Sequence, residues 1–159
     1  MAGIAAYNFW PEAPIDTSKK IDRILVIKHK REMQIFSNGE IVKAYHISLG
    51  RQPIGPKQFE GDNKTPEGIY IINDKNPNST YHLNLGISYP TKEDTEYARS
   101  MNRLPGGQIK IHGLRNGLGF IGKLHRLVDW TAGCIAVTNW EIEELYQAIP
   151  IGTEIEIVE

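Results

Sequence analysis

The chain has 159 residues, of which 40% are hydrophobic and 23% are charged, the composition of a single globular domain with a buried core. Its formal net charge of −1 gives no electrostatic reason to expect nucleic acid or an anionic membrane as a partner. No apolar run approaches the length of a membrane span, and the first residues lack the basic and apolar regions of a signal peptide.

The N-terminal half of the sequence predicts an antiparallel meander. Residues 1–20 have no clear periodicity and are predicted to be an arm or linker, so that the domain comprises residues 21–159. Apolar, β-branched runs at residues 24–27 and 33–36 indicate strands. Asn38 and Gly39 both tolerate positive φ and predict a tight hairpin turn before a third strand over residues 41–49.

The middle of the chain alternates strands with loops. Residues 69–72 and 81–89 are predicted to be extended, residues 73–79 a turn-rich connector, and residues 93–101 a short helix. In a strand over residues 108–112, alternation turns Ile109 and Ile111 to one face and Lys110 and His112 to the other. The Gly-rich segment 113–129 is interpreted as a long loop that forms a lid or a wall for substrate.

The C-terminal region carries a strong helix signature. Thr138 and Glu141 fit a capping box, in which Thr is the N-cap and Glu lies three residues later. Apolar residues then follow at helical spacing: Ile142, Leu145, Tyr146 and Ile149. Residues 154–158 alternate as a strand. The whole pattern predicts a mostly-β domain with one or two short helices.

Cys134 is the only cysteine in the chain, so it has no partner for an internal disulfide and cannot supply a Cys-rich zinc site. Its small neighbours Thr131, Ala132 and Gly133 leave room for a substrate backbone to approach. A histidine, His112, ends a predicted strand upstream. These features favour a cysteine nucleophile activated by a histidine, and the alternative is a thiol that is simply buried in the core.

Three segments, in this order, resemble the L,D-transpeptidase (YkuD-type) catalytic domain of bacterial cell-wall enzymes. They are Gly61-Asp62-Asn63-Lys64-Thr65-Pro66-Glu67-Gly68, Ile111-His112-Gly113 and Thr131-Ala132-Gly133-Cys134-Ile135. The resemblance covers residues 23–158 and implies a β-sandwich or barrel of mixed sheets. Ala132 and Ala136 replace the usual His and Arg of the family, and the Asp-Trp-Thr-Ala-Gly-Cys form is interpreted as a variant subgroup.

The resemblance implies roles for four residues of this chain. Cys134 matches the family nucleophile, and His112 matches its proposed general base. The main-chain carbonyl of Gly113 is implied as the group that orients the histidine. The backbone N–H groups of Gly133 and Cys134 are the candidate donors to the oxyanion.

Candidate substrate-binding residues flank this centre. Thr131 and Ala132 precede the nucleophile, and His125 is a hypothetical replacement for the histidine missing at Ala132. Arg115 and Arg126 are candidates to hold a carboxylate, because arginine offers a bidentate fork, although both are equally compatible with solvated loop residues. Asp129 and Trp130 are expected to anchor the active-site loop. The remaining histidines lack metal-ligand spacing, and no metal or cofactor is predicted.

The implied function is a peptidoglycan L,D-transpeptidase that is sensitive to carbapenems and lies in the periplasm or at the cell wall. The nucleophile attacks the diaminopimelate–D-Ala bond of a tetrapeptide stem, and an amine of another stem or of a lipoprotein lysine accepts the acyl group. Three alternatives remain: a hydrolase acting on the stem or on a lipoprotein link, a non-catalytic wall-binding module, and a cytosolic cysteine hydrolase on an unrelated peptide.

Overall fold

The computed structural model describes residues 2–159 of the protein. One mixed sheet of eight strands runs through it, in the order β3-β2-β1-β8-β4-β5-β6-β7. The strands are β1 (Arg23–Ile27), β2 (Glu32–Ser37), β3 (Glu40–His46), β4 (Gly68–Ser79), β5 (His82–Ile87), β6 (Lys110–His112), β7 (Ile135–Ala136) and β8 (Glu154–Val158).

Short helices accompany this sheet. They are the α-helices α1 (Ala2–Phe9), α2 (Lys92–Ser100) and α3 (Asn139–Ala148) and the 3-10 segments Lys28–Lys30 and Gly119–Leu127. The predicted mostly-β class is therefore confirmed. Among residues 2–159 no helix has both the length and the apolar character needed to cross a bilayer.

The N-terminal meander forms as its hydrophobic pattern predicts. Strand β1 pairs antiparallel with β2, and β2 pairs antiparallel with β3 across the turn at Asn38 and Gly39, which have φ values of 50° and 79°. Alternate residues of β1, including Ile24 and Val26, are buried. The C-terminal strand β8 lies parallel to β1 and antiparallel to β4, so it joins the two halves of the chain.

Strand β4 is longer than the sequence pattern predicts. Residues 73–79, predicted to be a turn-rich connector, continue the strand to Ser79 and pair with β5. Asn, Asp and Pro are depleted in strands when considered alone, so this prediction was wrong because cross-strand pairing outweighs local preference. The pairing brings Asn76 opposite Asn84.

The register of the last strands aligns polar side chains in rows across the sheet. Asn84 of β5 pairs with His112 of β6, which pairs with Ala136 of β7. One step along the same face, Gly86 pairs with Lys110. Cys134 lies immediately before β7, two residues from Ala136, so alternation places it on the His112 face.

The core lies on the opposite side of these strands and beneath α3. Ile111 and Ile135, which alternate with His112 and Cys134, are fully buried. Helix α3 begins at the predicted capping box, in which Thr138 and Glu141 bond each other's backbone N–H groups, and it buries Ile142 and Leu145. This packing fixes the edge of the sheet from which the site residues project.

Candidate active site

A cavity of about 610 Å³ opens over the polar face of β5 and β6, and both Cys134 and His112 line it. His112 comes from the end of β6, whereas Cys134 comes from the loop that leads into the parallel strand β7. The sheet therefore brings together two residues that are far apart in sequence. Thr131 and Ala132, both predicted to contact substrate, also line the cavity.

The imidazole of His112 is held in one tautomer. Its Nδ1 lies 2.7 Å from the carbonyl oxygen of Gly113, which only accepts hydrogen bonds, so Nδ1 carries the proton and Nε2 keeps a free lone pair. Burial lowers the pKa of His112, and the hydrogen bond to Gly113 partly opposes that shift. The ring is therefore neutral at pH 7 and is able to accept a proton.

Cys134 is half-buried, and its Sγ lies 3.4 Å from the backbone carbonyl oxygen of Gln108. Burial raises the pKa of the thiol, while a backbone hydrogen bond from Lys110 and the charges of Lys110 and Lys57 act in the opposite direction. Because burial also lowers the pKa of His112, both shifts favour a resting pair of neutral thiol and neutral imidazole over a preformed ion pair.

The turn before Cys134 is tightly constrained. Gly133 has φ +136°, and a Cβ at this position would lie 2.6 Å from the carbonyl oxygen of Lys64, so only glycine fits. The Gly133 N–H donates to Thr131 Oγ1 at 3.1 Å, and the Thr131 hydroxyl donates to the carbonyl of Cys134 at 2.7 Å. The Gly133 N–H therefore already has a hydrogen-bond acceptor. The family resemblance had implied that this N–H is free to donate to an oxyanion.

Aromatic rings enclose His112 on two sides. The centroid of the Tyr81 ring lies 4.5 Å from that of His112, and the Trp130 ring lies 5.6 Å away, edge-on at 66°. Both rings line the cavity, so they fix the imidazole and shape the space for substrate. Asp129 anchors the backbone just before Trp130, because its carboxylate accepts hydrogen bonds from the Arg31 guanidinium and from the Leu49 N–H.

His125 lies behind this layer and does not line the cavity. It is 5% exposed, its Nδ1 lies 3.1 Å from Ser48 Oγ, and the Trp130 indole N–H donates to the same nitrogen at 3.4 Å. Burial, with smaller contributions from the charges of Arg126 and His112, lowers the pKa of His125 to about 3. His125 therefore supports Trp130 as a neutral acceptor and has no route to substrate here.

The two arginines predicted to hold a carboxylate lie elsewhere. The Arg126 guanidinium bonds Glu141 at 2.6 Å and lies 3.6 Å from Glu12, so ion pairs on the scaffold already use it. Arg115 is exposed in the loop after β6 and does not line the cavity. The positively charged side chains that do line it are Arg51 and Lys110.

Several lining residues escaped the sequence-based prediction. Asn84 and Lys110 were detectable in principle, because alternation along β5 and β6 places them on the same face as His112. Arg51 follows a bridge between Gly50 and Thr131, and its N–H bonds the Thr131 carbonyl at 3.0 Å. No local pattern marks such a contact between distant loops, so only the folded chain shows it.

The residues that the structure describes contain no cluster of three or more His, Cys, Asp or Glu side chains arranged to hold a metal ion.

Comparison with known proteins gives this geometry a family context. The sequence model of a family described as the L,D-transpeptidase catalytic domain (YkuD) matches residues 21–157. YafK of Escherichia coli strain K12 is 27% identical over 133 residues, which cover 79% of this chain and 46% of YafK. The family match includes every segment that forms the cavity.

Solved structures share the fold. The helical cell shape determining protein Pgp2 from Campylobacter jejuni superposes with a TM-score of 0.67 at 25% identity, covering 89% of this chain and 48% of Pgp2. An L,D-transpeptidase solved in complex with imipenem has a TM-score of 0.54 at 15% identity, covering 86% of this chain and 58% of its own. The chain spans about half the length of YafK and of Pgp2.

Proposed function

The chain belongs to the L,D-transpeptidase catalytic domain family, and on that premise we propose that it is a peptidoglycan L,D-transpeptidase in which Cys134 is the nucleophile. The observation that carries this proposal is the shared cavity of Cys134 and His112, in which Gly113 leaves the Nε2 lone pair of His112 free. A weakly acidic thiol needs such a base before it attacks a carbonyl carbon.

In the first step, His112 Nε2 takes the thiol proton as Sγ attacks the carbonyl that joins diaminopimelate to the terminal D-Ala. The carbon–nitrogen bond then breaks, the imidazolium returns the proton to the leaving amine, and D-Ala departs. A thioester between the stem and Cys134 remains. The neutral resting pair suits this sequence, because His112 is charged only while it carries the transferred proton.

The tetrahedral intermediate needs a donor for its oxygen. Since Thr131 engages the Gly133 N–H, the backbone N–H of Cys134 is the donor that we assign to this role. Position 133 requires glycine because of its positive φ and its close approach to the Lys64 carbonyl.

In the second step, an amine attacks the thioester and releases Cys134. The acceptor is a diaminopimelate amine of a second stem or a lysine of a lipoprotein, both consistent with a protein that works in the periplasm or at the cell wall. If water attacks, the same site is an L,D-carboxypeptidase, or an amidase that releases a bound lipoprotein. The second step alone separates these activities, because the acylation chemistry is common to them.

The test is mass spectrometry of the products formed from a disaccharide-tetrapeptide by the protein and by its Cys134→Ala variant. We expect a cross-linked dimer and free D-Ala from the protein, and neither product from the variant. Tripeptide and D-Ala without dimer would identify the hydrolase. An unchanged substrate in both samples would contradict the proposed action on tetrapeptide stems.

A carbapenem separates an enzyme from a wall-binding module. The imipenem complex of a protein with the same fold supports the use of this drug as a trap for the nucleophile. We expect one imipenem adduct on the intact protein and none on Cys134→Ala, with Gln147→Ala, an exposed change on α3, as the control that retains the adduct. A protein without an adduct would favour the binding module.

A further inference from the structure

Asn84 presents a buried polar atom that the folded chain leaves without a partner. Its side chain is 7% exposed and lines the cavity, yet Oδ1 makes no hydrogen bond to any of the residues 2–159. Burying an amide oxygen without a donor is costly, and of the four buried polar side-chain atoms that lack a partner among residues 2–159, only Asn84 Oδ1 belongs to a residue that lines this cavity. The atom is therefore a hydrogen-bond acceptor that a donor from outside the chain can satisfy.

The register of the sheet places this acceptor beside the reacting groups. Asn84 lies directly opposite His112 on the neighbouring strand, on the same face, at the usual cross-strand separation of about 5 Å. Asn84 and Cys134 line the same cavity, so a ligand that fills the cavity meets both residues. The group that meets Oδ1 must be a hydrogen-bond donor, because Oδ1 only accepts, and the main-chain and amino donors of a peptide are N–H and ammonium groups.

The same face of the sheet also carries positive charge. Lys110 occupies the next row of that face, opposite Gly86, and its ammonium lies 3.8 Å from the mostly exposed carboxylate of Asp74. A Cβ at Gly86 would lie 3.3 Å from Lys110 Nζ, so the absent side chain gives the ammonium its space. Lys110 is thus held only by a loose surface pair.

A second cation stands at the nucleophile's side of the cavity. Arg51 is exposed, and no carboxylate in the described part of the chain lies within salt-bridge distance of it. No Asp or Glu lines the cavity among residues 2–159, and in that part of the chain Asp74, which lies outside the cavity, is the one carboxylate within salt-bridge distance of either cation. Such a site attracts a carboxylate.

We propose that Asn84, Lys110 and Arg51 form a recognition subsite for a carboxylate whose α-carbon also carries a nitrogen donor. Asn84 Oδ1 accepts from the nitrogen, and the two cations bind the carboxylate. The identification of the ligand as a stem peptide rests on the proposed function. Two parts of a tetrapeptide stem have this chemistry: the terminal D-Ala, with its amide N–H, and the free end of diaminopimelate, with its ammonium.

The test measures binding without turnover. In the Cys134→Ala background, calorimetry compares the dissociation constant of the tetrapeptide for three further changes: Asn84→Ala, Lys110→Met and the remote control Gln147→Ala. We expect the first two to weaken binding about tenfold, the worth of one hydrogen bond or one partly solvated ion pair, and the control to leave it unchanged. Equal constants for Asn84→Ala and its parent would overturn the subsite.

Two amidated peptides distinguish the sources of the carboxylate. One carries D-alaninamide at its end, and the other carries an amide at the free end of diaminopimelate. The peptide that has lost the recognised carboxylate should bind Cys134→Ala about tenfold more weakly than the parent peptide does. Adding Lys110→Met should not weaken the binding of that amidated peptide any further. If both amides bind as well as the parent peptide, the subsite does not recognise a carboxylate and the proposal fails.

Thermal unfolding separates recognition from a structural role. Because Asn84 Oδ1 has no partner in the free protein, we expect Asn84→Ala to shift the melting temperature by no more than about 2 °C. A larger loss of stability with unchanged peptide binding would make Asn84 a structural residue and overturn the proposal.

The results that would contradict the proposed function differ from those that would contradict the subsite. Tetrapeptide binding that depends on Asn84, together with no turnover by the unmodified protein, would contradict the transpeptidase alone and leave the subsite intact. Lack of tetrapeptide binding by Cys134→Ala would overturn both.

Discussion

Cys134 and His112 each lie where burial disfavours the charged form of the side chain. The ring of His112 also packs against Tyr81 and Trp130, and its Nδ1 proton is donated to the Gly113 carbonyl. The histidine is therefore fixed in place, tautomer and charge before substrate arrives. This arrangement predicts a general-base mechanism that starts from neutral partners.

The pH dependence of kcat/KM reports this resting state. Protonated His112 accepts no proton, so activity should fall as pH drops through its pKa, which burial holds below the ordinary value of 6.5. We expect an acidic limb whose midpoint lies below pH 6.5, measured by D-Ala release between pH 4 and 9. An acidic limb centred above pH 7 would instead indicate that ionisation of the thiol limits the reaction.

The loop between β3 and β4 is attached to the sheet by one lysine that follows β1. Lys28 is 0% exposed, and its ammonium donates to the Gly55 carbonyl at 2.8 Å, to the Thr65 carbonyl at 3.3 Å and to Glu67 at 2.8 Å. The same loop presents the Lys64 carbonyl to Gly133. Lys28 thereby links the first strand to the backbone beside Cys134.

Replacing Lys28 with Met should loosen that loop. The substitution leaves two carbonyls and the partly exposed carboxylates of Glu67 and Glu159 without their cationic partner, so we expect a loss of about 2–3 kcal/mol in the free energy of unfolding, measured in urea. Activity should fall as well, since the turn at Gly133 packs against this loop. Lys92→Met, which removes an exposed pair with Glu96 on α2, serves as the control and should cost less than about 0.5 kcal/mol. Equal losses for the two variants would contradict the role of Lys28.

Residues before the predicted domain boundary at residue 21 also contact the domain. Helix α1 forms where an arm without periodicity was expected, and its aromatic residues remain largely exposed. The segment after it is more firmly attached. Ile15 is 5% exposed, its N–H donates to Glu144, and the Lys43 ammonium bonds the Ala13 carbonyl at 2.8 Å. The core thus includes part of residues 12–20.

Two truncations test where the stable unit begins. A protein that starts at Glu12 keeps these contacts and should unfold within about 1 kcal/mol of the parent. A protein that starts at Ile21 loses the burial of Ile15 and should be less stable by about 2–3 kcal/mol. Equal unfolding free energies for the two truncated proteins would place the boundary at residue 21, as the sequence pattern predicts.

The sequence by itself determined the elements whose evidence is local. Alternating apolar residues specified the meander, a capping box specified the start of α3, and the motifs around His112 and Cys134 identified the family. Each of these depends on neighbouring residues, whose preferences persist in the folded chain. The Asp-Trp-Thr-Ala-Gly-Cys subgroup and the separate roles of the site residues remain predictions.

Only the tertiary structure decided which side chains meet. It extended β4 through residues 73–79, used Arg126 in ion pairs, buried His125 behind Trp130 and bonded the Gly133 N–H to Thr131. It also placed Asn84, Lys110 and Arg51 at the cavity. These outcomes depend on pairing between strands and loops far apart in the chain, where burial and long-range hydrogen bonds outweigh the local preferences that a sequence pattern records.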